Sequence, residues 1–297
     1  MNISFIVPTY NCADTIRETI VSIYNDNFEE GDEVIIIDDA STDSTSKIIE
    51  ELSKKYPSIK IVKHNINKGS AAAGRNTGID VSKNELIFCL DADNVLSPKS
   101  ISLLKHILLE QKADAVAFGE IHYFKTTIDE VTHKWLLKNS IDILDNINEA
   151  TQTPCSSGNY LFTKNSWYKA GRYIEHIGGA YDSWAFGMKQ LFSGAKILTL
   201  PDTFYYHRYG YESTFVKDVG KANVSITLLQ VILPFIEQIH SDDVNYIMGE
   251  YGRYTWYEKI NQRPIRLCNK YPIKLSLISI VVRKIHNLTN FWLYKHD

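Results

Sequence analysis

This chain of 297 residues predicts an α/β architecture built on a mainly parallel sheet that is covered on both faces. Three observations carry that expectation. Short apolar runs alternate with helical patterns through residue 120, clusters of polar residues close several of those runs, and 44% hydrophobic content is enough for a sizeable core.

The strands are expected at Ile3 to Val7, Glu33 to Ile37, Ile59 to Val62, Leu86 to Leu90 and Ala115 to Phe118. Between the first two, Ile16, Ile20, Ile23 and Tyr24 recur at helical spacing and define a buried face. After Asp93, Ser97 and Pro98 predict a helix start as N-cap and first helical residue, with Leu103, Leu104, Ile107 and Leu108 on its core side. Further on, the pattern predicts a helix around Trp135 to Ile147, a turn at Ser156 to Asn159 before Tyr160-Leu161-Phe162, a helix from Ser183 to Phe192 and a strand from Ile197 to Leu200. Beyond residue 215 it is chiefly helical.

Net charge is −3, but from Asn261 onward seven Lys/Arg face one acid, so the rest of the chain carries −9. An acidic body argues against nucleic acid as a partner. In the basic tail Ile273, Leu275, Leu277, Ile278, Ile280, Val281 and Val282 interleave with Lys274, Arg283 and Lys284. That pattern suits a helix lying on an anionic membrane surface, and equally a core helix with a solvated basic face. No apolar run reaches the roughly 18 residues that span a bilayer. The start of the chain has no basic region or cleavage site, and the four cysteines have no metal-ligand or disulfide spacing. The expected location is therefore cytoplasmic, peripheral on the inner membrane face if the tail binds lipid.

In open sheets of this kind ligands collect beyond the carboxyl ends of the strands. Pro8-Thr9-Tyr10-Asn11, Asp38 to Asp43 and Asp91-Ala92-Asp93 fall at such ends. Asp91 and Asp93, at i and i+2, can turn toward a common Mg2+ or Mn2+ that takes its remaining ligands from water and a substrate phosphate. The same spacing also suits a solvated turn closing a buried strand.

Taken in order, Val7 to Asn11, Ile37 to Asp43, Gly74-Arg75-Asn76-Thr77-Gly78 and Leu90 to Asp93 resemble the family 2 glycosyltransferases of the GT-A fold. Ser157-Gly158-Asn159 stands where that family has a glycine loop, Tyr181-Asp182 where it has an acidic pair, and His207 where a late histidine approaches the metal. The resemblance covers roughly residues 1–215, as a nucleotide-sugar half (1–120) and an acceptor-binding, catalytic half (121–215). Residues 216–297 are expected to be a separate helical, basic region.

The resemblance implies a Rossmann-like doubly covered sheet and transfer of a sugar, with inversion, from a nucleotide-diphosphate sugar to a hydroxyl of a glycan, lipid-linked or other acceptor. It implies Asp93 as the metal ligand, Asp91 near the metal, sugar or ribose, and His207 as a further ligand. Asp39 recognises the nucleobase, best read as uracil, with Pro8, Thr9 and Gly158 lining the donor site. Arg75 offers a planar donor fork to a base carbonyl or phosphate, or else is a solvated helix residue. Asp182 is the expected general base, its alternative being a helix cap; Tyr181 departs from the family's first acid. Trp184, Tyr205, Tyr206 and Tyr209 are read either as core or as a stacking surface.

Two near-motifs are rejected. Gly69 to Asn76 has the glycines of a phosphate loop without its lysine and hydroxyl. Asp91 to Val95 has the form of an aspartyl nucleophile, but about 90 residues precede it and no later acidic metal motif follows. A nucleotidyltransferase on a related fold, or a non-catalytic sugar-nucleotide-binding protein, remains as the alternative.

Overall fold

The computed structural model describes residues 1–136, 142–143, 158–175, 181–210, 230–231 and 233–238. In chain order these form β1 (Ile3–Thr9), α1 (Ile16–Tyr24), β2 (Glu33–Asp38), α2 (Thr45–Lys55), β3 (Ile59–Lys63), α3 (Ala71–Val81), β4 (Leu86–Cys89), β5 (Val95–Leu96), α4 (Ser100–Glu110), β6 (Ala115–Phe124), β7 (Val131–Leu136), β8 (Asp142–Ile143), β9 (Leu161–Thr163), α5 (Lys164–Lys169), α6 (Asp182–Phe192) and β10 (Ile197–Arg208). A 3₁₀ helix covers Leu233–Gln238.

The described strands make one sheet in the order β3-β2-β1-β4-β9-β6-β10-β5, with β7 paired to β6 and β8 to β10. The pairs β1–β2, β2–β3, β1–β4 and β6–β10 are parallel. β9 runs antiparallel between β4 and β6. The order reverses between β1 and β4, which opens a crevice at their carboxyl ends.

The central strands are apolar throughout because both sheet faces are covered. Along β2, Ile35 and Ile37 point into one core with α3 and α6, while Val34 and Ile36 point into the other with α1, α2 and α4. α3 lies unusually close to the sheet. A Cβ on Gly74 would stand 2.9 Å from Pro8 Cβ, and one on Gly78 would collide with Ile6 and Ile37. Two glycines one helical turn apart thus let the helix backbone settle on β1 and β2.

Several expectations are corrected. The helix expected around Trp135 to Ile147 is strand where described: β7 pairs antiparallel with β6, Trp135 opposite Ile121, and β8 pairs with β10. Val131 to Trp135 mixes β-branched and aromatic residues, and a free edge of β6 gives them a ladder to join. α4 begins at Ser100, after Lys99 in the left-handed region, because the Ser97 hydroxyl donates instead to the Phe204 carbonyl (2.7 Å). Its buried face consists of Ile101, Leu104 and Leu108; Leu103 is exposed and Ile107 half-buried. Trp184 and Tyr205 are core residues rather than a stacking surface, whereas Tyr206 and Tyr209 are half-buried.

The basic tail lies outside the described residues. Of the region after residue 215, Val231 and Phe235 pack into the core, Phe235 stacking on Phe192 of α6 at 5.6 Å. No described helix is long and apolar enough to cross a membrane.

Candidate functional site

The crevice is organised around Arg75, buried on α3. Its Nη2 donates to Asp91 Oδ1 (2.6 Å) just beyond β4, and its Nη1 donates to Asp182 Oδ2 (2.8 Å) at the start of α6. One planar fork therefore joins two carboxylates that lie 91 positions apart, each by a charge-assisted bond. The close seating of α3 brings this about, because Arg75 follows Gly74, where a Cβ would have no room beside Pro8 near the end of β1. Arg75 Nε is buried without a hydrogen-bond partner.

Asp91 is held from its other side as well. Asn159 Oδ1 accepts from the Asp91 backbone N–H (3.1 Å), and Asn159 Nδ2 donates to Asp91 Oδ2 (3.2 Å). Gly158 makes this approach feasible. Its φ of +82° is one that side chains rarely adopt, and a Cβ there would collide with Ser183 and stand 3.3 Å from Arg75 Nη2.

Asp182 is not a cap. It is the first helical residue of α6, with Oδ1 accepting from the Ser183 backbone N–H (2.6 Å) and hydroxyl (3.2 Å). Burial raises its pKa, Arg75 opposes the rise and Asp91 adds to it. Such a carboxyl is drawn toward the range where it can take up a proton.

Asp93 is half-buried, and its carboxyl is pushed up to about 7 by burial first and by the charge of Asp91 second. Its backbone carbonyl accepts from Arg208 Nε (3.3 Å), which ties the turn to β10. His207, next to Arg208, has its pKa lowered by burial, and its Nδ1 is buried without a hydrogen-bond partner. Its ring meets Tyr123 edge-on at 5.1 Å.

For a divalent cation the donor set is chemically apt: two mutually repelling carboxylates, whose charge a cation would relieve, and a neutral imidazole nearby. No group of three His, Cys, Asp or Glu side chains is arranged to hold a metal among the described residues. The fit is thus to an ion bound by one or two carboxylates that completes its shell with substrate oxygens.

On the far side of β1 stands Asp39, buried after β2. Both of its oxygens accept from the Lys68 backbone N–H (3.0 Å each), and Oδ1 also pairs with His64 Nδ1 (2.6 Å). Thr9 closes the floor: its carbonyl accepts from the Asp39 backbone N–H (2.9 Å), while its hydroxyl turns to the Val7 carbonyl (3.1 Å). Asp38 faces elsewhere, accepting from the Ser41 backbone N–H (2.9 Å) and the Ser46 hydroxyl.

The structure therefore brings Arg75, Asp91, Asp182 and Gly158 into one contact group, and gathers Thr9 and Asp39 at the neighbouring strand ends. Sequence reasoning missed the roles of Asn159, His64 and Asn76. The amide of Asn76, buried on α3, accepts from Trp167 Nε1 (3.2 Å) and the Tyr173 backbone N–H (3.1 Å), and donates to the Tyr173 carbonyl (3.0 Å) and Glu175 (2.7 Å). For Asn76 the available signal was its place between the two glycines of the Gly74 to Gly78 motif. For Asn159 it was the preceding glycine.

The relatives are consistent with this geometry. Over 122 residues, 41% of this chain, it is 31% identical to a poly(ribitol-phosphate) beta-glucosyltransferase of Bacillus spizizenii, and the match covers 19% of that protein. The match spans less than half the length of the first curated relatives. Among solved structures, S. aureus TarS 1-349 in complex with UDP-GlcNAc superposes with a TM-score of 0.63 at 20% identity, covering 80% of this chain and 72% of that one. The mannosyltransferase PcManGT from Pyrobaculum calidifontis, in complex with GDP-Man and Mn2+, gives 0.56 at 19% identity, over 79% and 64%. These likenesses identify the fold as that of the GT-A enzymes anticipated from the motifs. The model of Glycosyl transferase family 2 matches residues 4–170, more than half of the chain, and the chain belongs to that family.

Proposed function

We propose that this chain transfers a sugar from a nucleotide-diphosphate sugar, UDP-linked, to a hydroxyl of a glycan or related polymer acceptor, with inversion. The observation that carries the reading is the ion group Asp91–Arg75–Asp182 in the crevice between β1 and β4. It sets a buried carboxylate, oriented by a guanidinium, beside the strand-end acids that face a donor. The UDP-GlcNAc in the TarS complex and the poly(ribitol-phosphate) in the name of the Bacillus relative support this choice of donor and acceptor.

Asp182 takes the proton from the acceptor hydroxyl as its oxygen bonds to the anomeric carbon, and the carbon–oxygen bond to the diphosphate breaks. Arg75 keeps Asp182 aimed by one bond to Oδ2, while Ser183 takes two positions on Oδ1, so the remaining capacity to receive that proton is on Oδ2. Asp93, with Asp91 and His207 beside it, is the set that would hold Mg2+ or Mn2+, and the ion's contribution when bound is to neutralise charge on the departing diphosphate. Asp39 accepts from a ring N–H of the base, Thr9 and Pro8 form the floor beneath it, and Gly158 leaves room over Arg75. In this reading residues 1–120 hold the donor, 121–215 meet the acceptor, and the region 216–297 meets an anionic membrane surface at the cytoplasmic face through its basic tail from Asn261 onward.

The test is a panel of nucleotide sugars with Mn2+, read as thermal shift and donor hydrolysis, followed by two variants. Asp93→Ala and Asp182→Asn should each abolish transfer, with metal-dependent nucleotide binding lost only in the first. Full transfer by Asp182→Asn would remove it as the base.

A further inference from the structure

Asp39 ends a chain of polar side chains whose other members, His64 and Thr77, the transfer reaction as described does not use. His64, immediately after β3, presents Nδ1 to Asp39 Oδ1 at 2.6 Å, and its Nε2 lies 3.0 Å from the Thr77 hydroxyl on α3. A carboxylate only accepts, so Nδ1 carries the proton toward Asp39, and Nε2 faces the Thr77 hydroxyl, which can serve as donor or acceptor. His64 and Asp39 side chains are each about one-tenth exposed. The His64 backbone is fixed too, donating to the Asp38 carbonyl (2.9 Å).

The count of acceptor sites matters. A carboxylate offers about four lone-pair positions. Lys68 N–H reaches both oxygens and His64 takes a second position on Oδ1, so the remaining capacity of Asp39 lies on Oδ2. The carboxylate plane is thereby locked, with Oδ1 holding two protein contacts and Oδ2, which shares only the Lys68 N–H, keeping a position for a ligand.

We propose that His64, set by Thr77, is a positioning residue for nucleobase selection: it locks Asp39 so that Oδ2 accepts from the ring N–H of uracil and turns away cytosine, which has a lone pair at that ring position. The inference rests on the assignment of Asp39 to the base made above. His64 acts through Asp39 and touches no reacting atom.

Binding of UDP and CDP to the full chain, measured by titration calorimetry, tests it alongside donor kinetics. His64→Leu should weaken UDP by about tenfold, the scale of one lost hydrogen bond to a charged group, and leave CDP nearly unchanged, so that the preference collapses. The kinetic loss should fall on KM for the donor more than on kcat. His64→Asn, whose amide nitrogen can stand where Nδ1 does, should recover most of the preference, and Thr77→Val should fall between Leu and wild type. If Asp39→Asn abolishes the preference while His64→Leu and Thr77→Val keep it, the positioning role is overturned. If Asp39→Asn itself keeps the preference, the base assignment fails, and this inference with it. Should His64→Leu not fold, Thr77→Val and His64→Asn decide by the same ratio.

Discussion

Arg75 shows how one side chain can carry several requirements at once. Removing one partner of a buried ion pair leaves a charge uncompensated, which costs about 3–5 kcal/mol, so the three charges stand or fall together. Because burial raises the pKa of Asp182 and Arg75 restrains the rise, the acid limb of kcat/KM at saturating Mn2+ should lie above the ordinary carboxylate range. Arg75→Lys keeps the charge but cannot span both carboxylates, and should move that limb further up. A limb unmoved in Arg75→Lys would mean that Arg75 does not tune Asp182. Asn76 is the quieter neighbour. With four hydrogen bonds and almost no exposure, its replacement by Leu strands several buried groups and should cost about 2–4 kcal/mol in urea unfolding, with the donor preference intact. The motif residues Asp39, Arg75, Asp91 and Asp182 could be picked out from the chain because strand ends and glycines frame them. The partners Asn159 and His64 could not, since they lie 68 and 25 positions from the carboxylates they hold, and the glycine before Asn159 marks a turn without marking what it meets.

At the level of elements, the parallel core was readable because its strands are continuous apolar runs, as burial on both faces requires. Strands β5, β7 and β8 were not, because short antiparallel strands take their register from a neighbour rather than from a period of their own. The junction between α5 and α6 offers a separate measurement. Lys189 on α6 donates to the carbonyls of Gly171 and Arg172 (2.9 Å each), satisfying the chain where it leaves α5. Burial lowers its pKa from 10.5 to about 8. Between those values the unfolded chain holds the proton and the folded one has released it, so Lys189 makes stability rise as pH climbs from about 8 to 10.5, and lowers it as pH falls through 8. The buried Tyr173 and the half-buried Tyr123, whose pKa values burial raises, act in the opposite sense near the top of that window. The difference between wild type and Lys189→Met in denaturation across pH 7–10.5 isolates the lysine; a flat difference would contradict the assignment.

Across the whole molecule, stability should be graded from the middle of the sheet outward. β1 is hydrogen-bonded on both sides, by β2 and β4, and is buried almost throughout, whereas β3 ends one edge with two exposed lysines and β7 is largely exposed. Amide exchange should therefore be slowest in β1, β2 and β4 and faster by orders of magnitude in β3 and β7. Equal protection of β7 and β1 would refute this ordering. The slow region is also the floor of the crevice, so the proposed donor pocket rests on the part of the protein least disposed to open.

The glycine-seated helix α3 has a consequence for change over generations or by design. Three successive residues leave it about 100° apart: Arg75 toward the acids of the transfer step, Asn76 toward the segment after α5, and Thr77 toward the ring that braces Asp39. The helix behaves as a camshaft with three lobes on one axle. Inserting or deleting one residue within it would mistime all three together, so a change in the length of this helix should disturb the proposed choice of nucleotide and the proposed handling of the acceptor proton at once, where a single substitution reaches one of them.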